Sequence, residues 1–509
     1  GEIQRVEGER VDLDILSPYD DPQTYDMIAK SVTLGCFQIE SPGQRELIGK
    51  FGPADFGDII IDISLFRPGP VKSGMVIPFL EARQGWRKAS YLHPDLEPVL
   101  AETGGVVVFH EQIIQIIAVV TGCTLAQGDE ARRALGNLQA KEDVKRWFFP
   151  AASRRGYSAE VIGKIWFILE SFASFGFCKA HAAAFALPTY QSAWLKAHYP
   201  AHFLAGVLTH DPGMYPKRLI LEEARRLGVE ILGLDVNRSE VDYRVEKLEE
   251  FPPGVRNRFR MAGSPEMAGE PSSDPAGVAR YPVRLTPGHG LPDGRGYGIR
   301  LGLADVKGIS QVELTRIVAG RPYASLTDFW RRTGNSSPVT ERLVLAGAFD
   351  ELYDIGSGGT VGRRGRVTRR DLLLSVSDLE RAARVDRRGA GRARGLGVSG
   401  QSGDAGRRAE IQLPLEFVSA ADRGDVVSTG LPELSDSERL AAELEIIGLD
   451  ASHHVLSDQL EFLTAVGVTF SADLLSRRSR SEVLIAGVKV ATQTPPVRSG
   501  RRVIFLTLD

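Results

Sequence analysis

The sequence predicts a mainly α, multidomain fold that ends in a small β unit. Helical periodicity is dense from Asp12 to about Met214, with few breaks. Beyond it, one stretch rich in Pro, Gly and Ser and another rich in Gly and Arg divide the chain. At the end, Val483 to Ala491 and Arg501 to Leu508 alternate or run apolar around a Pro-Pro-Val-Arg-Ser-Gly turn, which signals a β-hairpin. A chain of 509 residues exceeds one ordinary core, so three or more domains of roughly 100–200 residues each are expected.

The elements follow in order. Val106-Val107-Val108-Phe109 reads as a short buried strand leading into a helix from Glu111 to Val120, whose apolar stripe is Ile113, Ile114, Ile117 and Ala118. A further helix is expected from Ala159 to Phe172, and Pro68-Gly69-Pro70 forces a turn. A helix from Leu219 to Gly228 precedes a strand from Val229 to Leu232. Residues 251–294 lack periodicity and read as a loop or disordered insertion. Helices from Ser310 to Ala319 and Thr340 to Ala346 flank a turn at Pro322-Tyr323. The Gly/Arg stretch from Gly356 to Arg408 holds a helix from Arg370 to Arg384, and its Gly389 to Arg408 part is expected to be disordered. Ser435 to Leu449 reads as an acidic amphipathic helix.

Composition narrows the functional classes. Hydrophobic residues make up 43% and charged residues 25%, a globular balance. No apolar run approaches a membrane span, so no membrane partner is expected and a cytoplasmic location is. Cys36, Cys123 and Cys178 form no CxxC pair, which argues against a disulfide framework and a zinc site. The net charge of −3 means that any nucleic-acid contact must come from locally clustered Lys and Arg. The start, Gly1-Glu2-Ile3-Gln4-Arg5, has neither an initiator Met nor a signal-peptide pattern, and the chain stops inside a β pattern. Both lead us to expect a piece cut at each end.

A set of segments in fixed order carries a resemblance: FQIESPG at Phe37, LFRPGP at Leu65, FHEQ at Phe109, ARRALG at Ala131, FGFCKAHAAAF at Phe175 and YQSAWLKAH at Tyr190. Together these resemble the palm-to-fingers region of bacterial family C DNA polymerases, the polymerase III α subunits. FHEQ in place of YQEQ, Cys178 within FGFCKAH, and Thr209 to Tyr215 look like the error-prone branch. The resemblance implies a helical fingers domain, a tandem helix-hairpin-helix region and a truncated OB-fold. It divides the chain into palm exit and start of fingers (1–60), fingers (61–216), a helix–strand connector (217–250), the insertion (251–294), the hairpin region (295–354), an Arg/Gly-rich linker (355–410), a clamp-binding peptide (411–418), a helical connector (431–480) and the start of an incomplete OB-fold (481–509).

A fingers domain must hold a triphosphate. Guanidinium forks match phosphate oxygens two at a time, while lysine acts as a mobile point charge. Arg132 and Arg133, expected near the middle of a helix, together with Lys179 and His181, are therefore the candidates for the incoming nucleotide's phosphates and base. Taken singly, an Arg-Arg pair reads equally as a solvated face and a lone His as structural. Arg67 either binds phosphate or anchors the Pro-Gly-Pro turn. Replicative relatives place lysines after the glycine of ARRALG, whereas Asn137-Leu138-Gln139 follow here.

Polymerisation needs carboxylates that bridge two Mg²⁺ ions. Asp12-Leu13-Asp14 would put both carboxylates on one face of a strand, and Asp58 and Asp62 lie one helical turn apart. In the family the first pair resembles a linker after the palm, so the resemblance implies that the catalytic aspartates lie upstream of Gly1 and that no catalytic residue is to be named within the chain. The expectation is that Mg²⁺ belongs to the parent enzyme, and that this chain binds no catalytic metal pair and does not extend a primer.

Leu303 to Ser310, with Leu314, Ile317 and Arg321 behind it, resembles a helix-hairpin-helix motif, in which hairpin amides meet a DNA phosphate without reading sequence. Lys307, Gly308, Ile309 and Ser310 are its DNA-binding candidates, and a plain helical hairpin is the alternative. Leu343 to Phe349 looks like the remnant of a paired copy. Gln412, Leu413, Leu415 and Phe417 fit the peptide form that binds bacterial sliding clamps, a short match for which chance is the rival. The implied partners are primer-template DNA, deoxynucleoside triphosphates, the clamp and other mutagenesis factors. The rival function is a non-catalytic DNA-binding or scaffold remnant of such a polymerase.

Overall fold

The computed structural model describes residues 1–65, 76–172, 177–211, 215–248, 291–356, 366–394, 426–493 and 504–508. The chain divides into two compact units, one built on Ile3–Phe203 and the other on Leu204–Arg280 and Arg295–Asp509, so far as those residues are described. The expected insertion falls mostly outside the described residues, as do Pro68-Gly69-Pro70 and the clamp peptide.

The first unit is helical. It contains α1 (Pro22–Ala29), α2 (Pro42–Phe51), α3 (Phe56–Leu65), α4 (Val76–Arg83), α5 (His110–Thr121), α6 (Leu125–Ala134), α7 (Leu138–Arg154), α8 (Ala159–Phe172) and α9 (Lys179–His198). Local chemistry sets the starts. Asp21 accepts from the Thr24 amide at 2.8 Å, with Pro22 in the first turn of α1, and Thr124 and Gln127 form a capping box on α6. Along α9, Ala182, Ala186, Ala193 and Ala197 are buried, and these small side chains let the helix pack closely on α3 and α1. A second core joins α5, α7 and α8 through Ile113, Ile116, Ile117, Val120, Phe148, Ile165 and Trp166. Each such side chain, once buried, contributes about 1.5–3 kcal/mol. The buried stripe of α5 is thus turned from the expected one: Ile116 and Val120 are inside, while Ile114 and Ala118 are only partly covered.

Two expectations for this unit are corrected. Val106 to Phe109 are buried but make one parallel bridge, Phe109 to Phe177, rather than a ladder, because the chain turns into α5 at the next residue. Asp12 and Asp14 are not on a strand. They sit in a 3₁₀ turn over Leu13–Ile15 in which the Asp12 carboxylate accepts from the Asp14 amide at 3.0 Å.

The second unit opens with α10 (Lys217–Arg226) and a three-stranded sheet of β1 (Glu230–Leu232), β2 (Arg244–Lys247) and β3 (Tyr297–Arg300) in the order β1-β3-β2, β1 parallel and β2 antiparallel to β3. Helices α11 (Gln311–Ala319), α12 (Leu326–Thr333), α13 (Ser337–Leu345), α14 (Arg369–Arg394) and α15 (Asp436–Ile446) follow, then the antiparallel pair β4 (Lys489–Gln493) and β5 (Phe505–Leu508). Helix α12 lies where only a turn is expected. Ser325 caps it, Leu326, Phe329 and Trp330 fall at helical spacing, and Phe329 packs between Tyr323 and Phe349 at ring distances of 5.0 and 5.1 Å. Helix α14 runs to Arg394, so residues 389–394 of the expected disordered stretch are helical. An established helix adds one bond per residue fixed, and Ala and Arg favour its continuation. The final strand begins at Lys489 rather than Val483, because Lys489 already pairs with Leu508, the last residue of β5.

Candidate nucleotide and nucleic-acid interface

The first group of candidates meets at the Phe109–Phe177 bridge. There the His110 amide donates to the Phe177 carbonyl at 2.9 Å, which sets the first turn of α5 beside the first turn of α9. Glu111 fastens the junction. Its carboxylate accepts from the Lys179 amide at 3.0 Å and from the Cys178 thiol at 3.2 Å. Burial works to raise the Glu111 carboxyl, but these donors hold it below its ordinary value. Lys179 then sends its ammonium to both oxygens of Glu102, at 2.5 and 2.7 Å, with its Nζ 5.4 Å from the centre of the Phe109 ring.

Arg132 and Arg133 occupy the last turn of α6, not its middle, where two cations also complement the helix dipole. Both reach back to Asp129. The Arg132 Nε donates to one carboxylate oxygen at 3.0 Å, and the Arg133 Nη2 lies 2.6 Å from the other. The hydrogen bond from Arg132 is the foremost of the interactions that hold the Asp129 carboxyl below its ordinary value. Arg132 also lies close enough to act on His110, whose imidazole is depressed first by burial and then by that charge. His181 is exposed on α9 and sits edge-on to Phe185 at 4.5 Å and to Phe177 at 5.2 Å. The structure therefore gathers Lys179, His181 and, through His110, Arg132 around one junction. Arg67 lies outside the described residues.

The carboxylates read as possible chelators behave differently. Asp58 accepts from the Ala54 amide at 2.8 Å and is paired with Arg83, while Asp62 is buried with neither oxygen partnered among the described residues. Among the described residues no group of three or more His, Cys, Asp or Glu side chains is placed to hold a metal ion. Gly1, upstream of which the catalytic aspartates are expected, is exposed at the N-cap of a short helix over Glu2–Glu7, and its carbonyl accepts from the Arg5 amide at 3.0 Å. No helix among the described residues is long and apolar enough to cross a membrane.

The hairpin candidates form a turn before α11. Gly308 takes φ 77°, a left-handed conformation that favours glycine, and a Cβ there would lie 2.5 Å from the Arg342 Nη1. Ser310 caps α11 in a capping box with Glu313. The Lys307 amide donates to the Ile446 carbonyl at 2.9 Å, and Lys307 itself is exposed. Gln412, Leu413, Leu415 and Phe417 lie outside the described residues.

Comparison with known proteins now bears on this geometry. The family model for the bacterial DNA polymerase III alpha subunit finger domain matches residues 2–155, and that for the helix-hairpin-helix motif matches residues 228–355. An error-prone DNA polymerase of Symbiobacterium thermophilum is 36% identical over 97% of this chain and 42% of its own length. One from Cutibacterium acnes is 32% identical over 97% of this chain and 40% of its own length. A DNA polymerase III subunit alpha of Aquifex aeolicus is 29% identical over 96% of this chain and 35% of its own length. The chain belongs to the bacterial DNA polymerase III α family, error-prone type.

This family member spans about two fifths of the length of the error-prone relatives it matches. Its matched finger segment starts one residue after Gly1 and contains Arg132 and Arg133, but ends before Lys179 and His181. The hairpin candidates all lie inside the second matched segment. Residue-by-residue reading missed Glu102 and Asp129 as the partners of the cations, and Glu111 as the acceptor for the Lys179 amide. Asp129 was findable, since it stands four residues before Arg133 on a helix, the spacing at which opposite charges meet. Glu102 and Glu111 are brought to Lys179 only by tertiary folding.

Proposed function

We propose that this chain supplies nucleotide and DNA binding to a DNA-directed DNA polymerase of the error-prone polymerase III α type, which adds deoxynucleotides to a primer in replication and damage-induced synthesis. The observation that carries it is the junction at Phe109 and Phe177, where FHEQ and FGFCKAH are bonded to each other and the charge of Arg132 from ARRALG acts on His110. In this reading Arg132 and Arg133 turn from Asp129 to the triphosphate oxygens and Lys179 turns from Glu102 to the same group. His181, exposed among aromatic rings, faces the base. Mg²⁺ belongs in this reading to the parent enzyme, where carboxylates of the palm would hold it and where it would supply neutralisation of phosphate charge and activation of the attacking hydroxyl. The hairpin at Lys307, Gly308, Ile309 and Ser310 holds the duplex by its phosphates, and Gln412, Leu413, Leu415 and Phe417 engage the sliding clamp.

The test is equilibrium binding of a deoxynucleoside triphosphate to the chain and to its Arg132→Ala and Lys179→Ala variants. Hydrogen bonds to charged groups contribute about 1.5–3 kcal/mol, so each variant should weaken binding about tenfold or more. Unchanged affinity in both would refute the site. Primer extension by the isolated chain above a no-enzyme control would refute the assignment of the metal chemistry to residues upstream of Gly1. Clamp affinity unaffected by Gln412→Ala combined with Phe417→Ala would remove the clamp peptide from the reading.

A further inference from the structure

We infer that Phe37 and Phe185 form a stacking platform for an unpaired base of a single DNA strand, beside the nucleotide candidates Lys179 and His181. The inference rests on the reading of the Phe109–Phe177 junction as the nucleotide site, and it names the side chains that hold the neighbouring strand.

Phe37 stands in the loop between α1 and α2, and that loop is heavily bonded. The Thr33 hydroxyl donates to the Ile39 carbonyl at 2.7 Å, the Cys36 amide to the Thr33 carbonyl at 3.0 Å and the Gly35 amide to the Glu40 carboxylate at 3.1 Å. Two residues of α9 hold it from outside: Lys196 donates to the Leu34 carbonyl at 2.8 Å, and the Ser192 hydroxyl accepts from the Phe37 amide at 3.0 Å. The arrangement is costly in two ways. Lys196 is fully buried, and taking an ammonium out of water is expensive. Gln38 takes φ 63°, a left-handed conformation that a residue with a side chain adopts only under constraint. Of residues 32–40 only Phe37 is exposed, at 41%, so this strained frame presents one phenyl ring to solvent.

The ring belongs to a row. Phe37 lies on Phe185, with ring centres 5.7 Å apart and planes 18° from parallel. Phe185 stands edge-on to His181, and His181 edge-on to Phe177. His181 and Phe185 are four residues apart on α9, the spacing of one face, and Phe177 precedes them by four more. Ala180 and Ala184 are exposed on the same helix, and their methyl groups are too short to cover the rings. The row therefore begins beside Lys179 and ends on Phe37.

Flat rings flanked by short side chains fit a nucleobase, since every base offers a π face whatever its identity. A duplex keeps those faces inside its own stack, whereas a single strand can turn one outward. A strand that rests on Phe37 and Phe185 lies next to His181, the residue assigned to the base of the incoming nucleotide, and so holds the place of the strand about to pair with it. The phenyl rings carry no charge, so their share of the binding is indifferent to salt, unlike a contact to phosphate. Stacking also makes the platform tolerant of sequence.

The experiment measures binding of a single DNA strand to the full chain at low and at high salt. The strand carries an end label for affinity and a fluorescent base analogue whose emission stacking quenches, and triphosphate binding to the same chain is measured in parallel. Phe37→Ala and Phe185→Ala should each weaken strand binding about fivefold or more, by the same factor at both salt concentrations, and reduce the quenching. Phe37→Tyr keeps the ring and should bind as the wild type does, with thermal unfolding as a check on the fold of every variant. If folded Phe37→Ala and Phe185→Ala bind the strand as tightly as the wild type, or if the wild-type complex shows no quenching, the platform is wrong, while the nucleotide reading still stands or falls on the triphosphate result. If Phe37→Tyr loses as much as Phe37→Ala, the loss comes from the loop and not from the ring, and the platform is again wrong. If the strand behaves as expected but the triphosphate does not bind, the platform stands and the nucleotide reading falls. If the wild-type chain binds no single strand, the inference fails.

Discussion

Replacing Asp62 by asparagine should stabilise the first unit near neutral pH and leave it unchanged in acid. Asp62 is 1% exposed, set between Ile61 and Ile63 on α3, and neither of its oxygens has a partner among the described residues. Burial, foremost, and then the charge of Asp58 push its carboxyl well above the ordinary value of 3.8. The unfolded chain gives up this proton near 3.8, whereas the folded chain keeps it. The group's contribution to stability is therefore complete below that value and is lost as pH rises toward the folded value. Within this window the loss runs at about 1.4 kcal/mol per pH unit, since one proton separates the two states. Asparagine has nearly the same shape and does not titrate there, so the difference between variant and wild type should open with that slope. Urea unfolding at steps from about pH 4 to about pH 7 measures it, the slope itself being the linkage observable. Trp86, Trp147, Trp166 and Trp194 report on the first unit by their fluorescence. Asp62→Leu supplies a second reading. It removes the unpartnered polar atoms altogether and should add about 1–3 kcal/mol at every pH over asparagine. Parallel stability curves for wild type and Asp62→Asn would refute the reasoning.

Other perturbations read the remaining contacts. Asp129→Asn removes the charge that holds Arg132 and Arg133, so triphosphate affinity should rise; an equal or weaker affinity in equilibrium binding would show that the carboxylate does not compete with phosphate. Lys196, fully buried, donates to the Leu34 carbonyl at 2.8 Å, and its charge opposes the upward push of burial on Glu40. Lys196→Met should cost roughly 3–5 kcal/mol in urea unfolding, with partial recovery when Glu40→Gln is added. Gly308→Ala forces a side chain into a left-handed turn and against Arg342, and should lower stability by about 1 kcal/mol or more in thermal unfolding of the second unit. Ser310→Ala removes a cap and should cost about 1 kcal/mol by the same measurement.

Elements with their own start signal or with strong periodicity were legible in the sequence. Helix α8 occupies the expected residues, and α5, α10, α11 and α15 match within a few residues, because an apolar stripe or a Ser cap marks each of them locally. What was not legible depended on partners far along the chain. Val106 to Phe109 look like a strand until Phe177 turns out to give them one bridge, whereas α12 carries a local signal that could have been read: Ser325 caps it and Leu326, Phe329 and Trp330 fall at helical spacing. The candidate site divides in the same way. Arg132, Arg133, Lys179 and His181 could be named from their segments. Their counter-ions could not all be named, since nothing near Lys179 in sequence announces Glu102.

The two candidate sites differ most in the state of their charges, and that difference has a functional consequence under the proposed reading. At the hairpin the exposed Lys307 carries no carboxylate among the described residues, so its charge can take up a phosphate by counterion release. Around the Phe109–Phe177 junction the candidate cations among the described residues are already held: Arg132 and Arg133 by Asp129, Lys179 by Glu102. An anion entering there must replace three charge-assisted contacts at once, and the carboxylates it displaces must find water. A single diester oxygen offers too little for that exchange, whereas the clustered charges of a triphosphate can meet both arginine forks and the lysine together. Neutralising the site in its resting state therefore favours the nucleotide over the backbone of the DNA. The same residues could not discriminate in this way if they stood free.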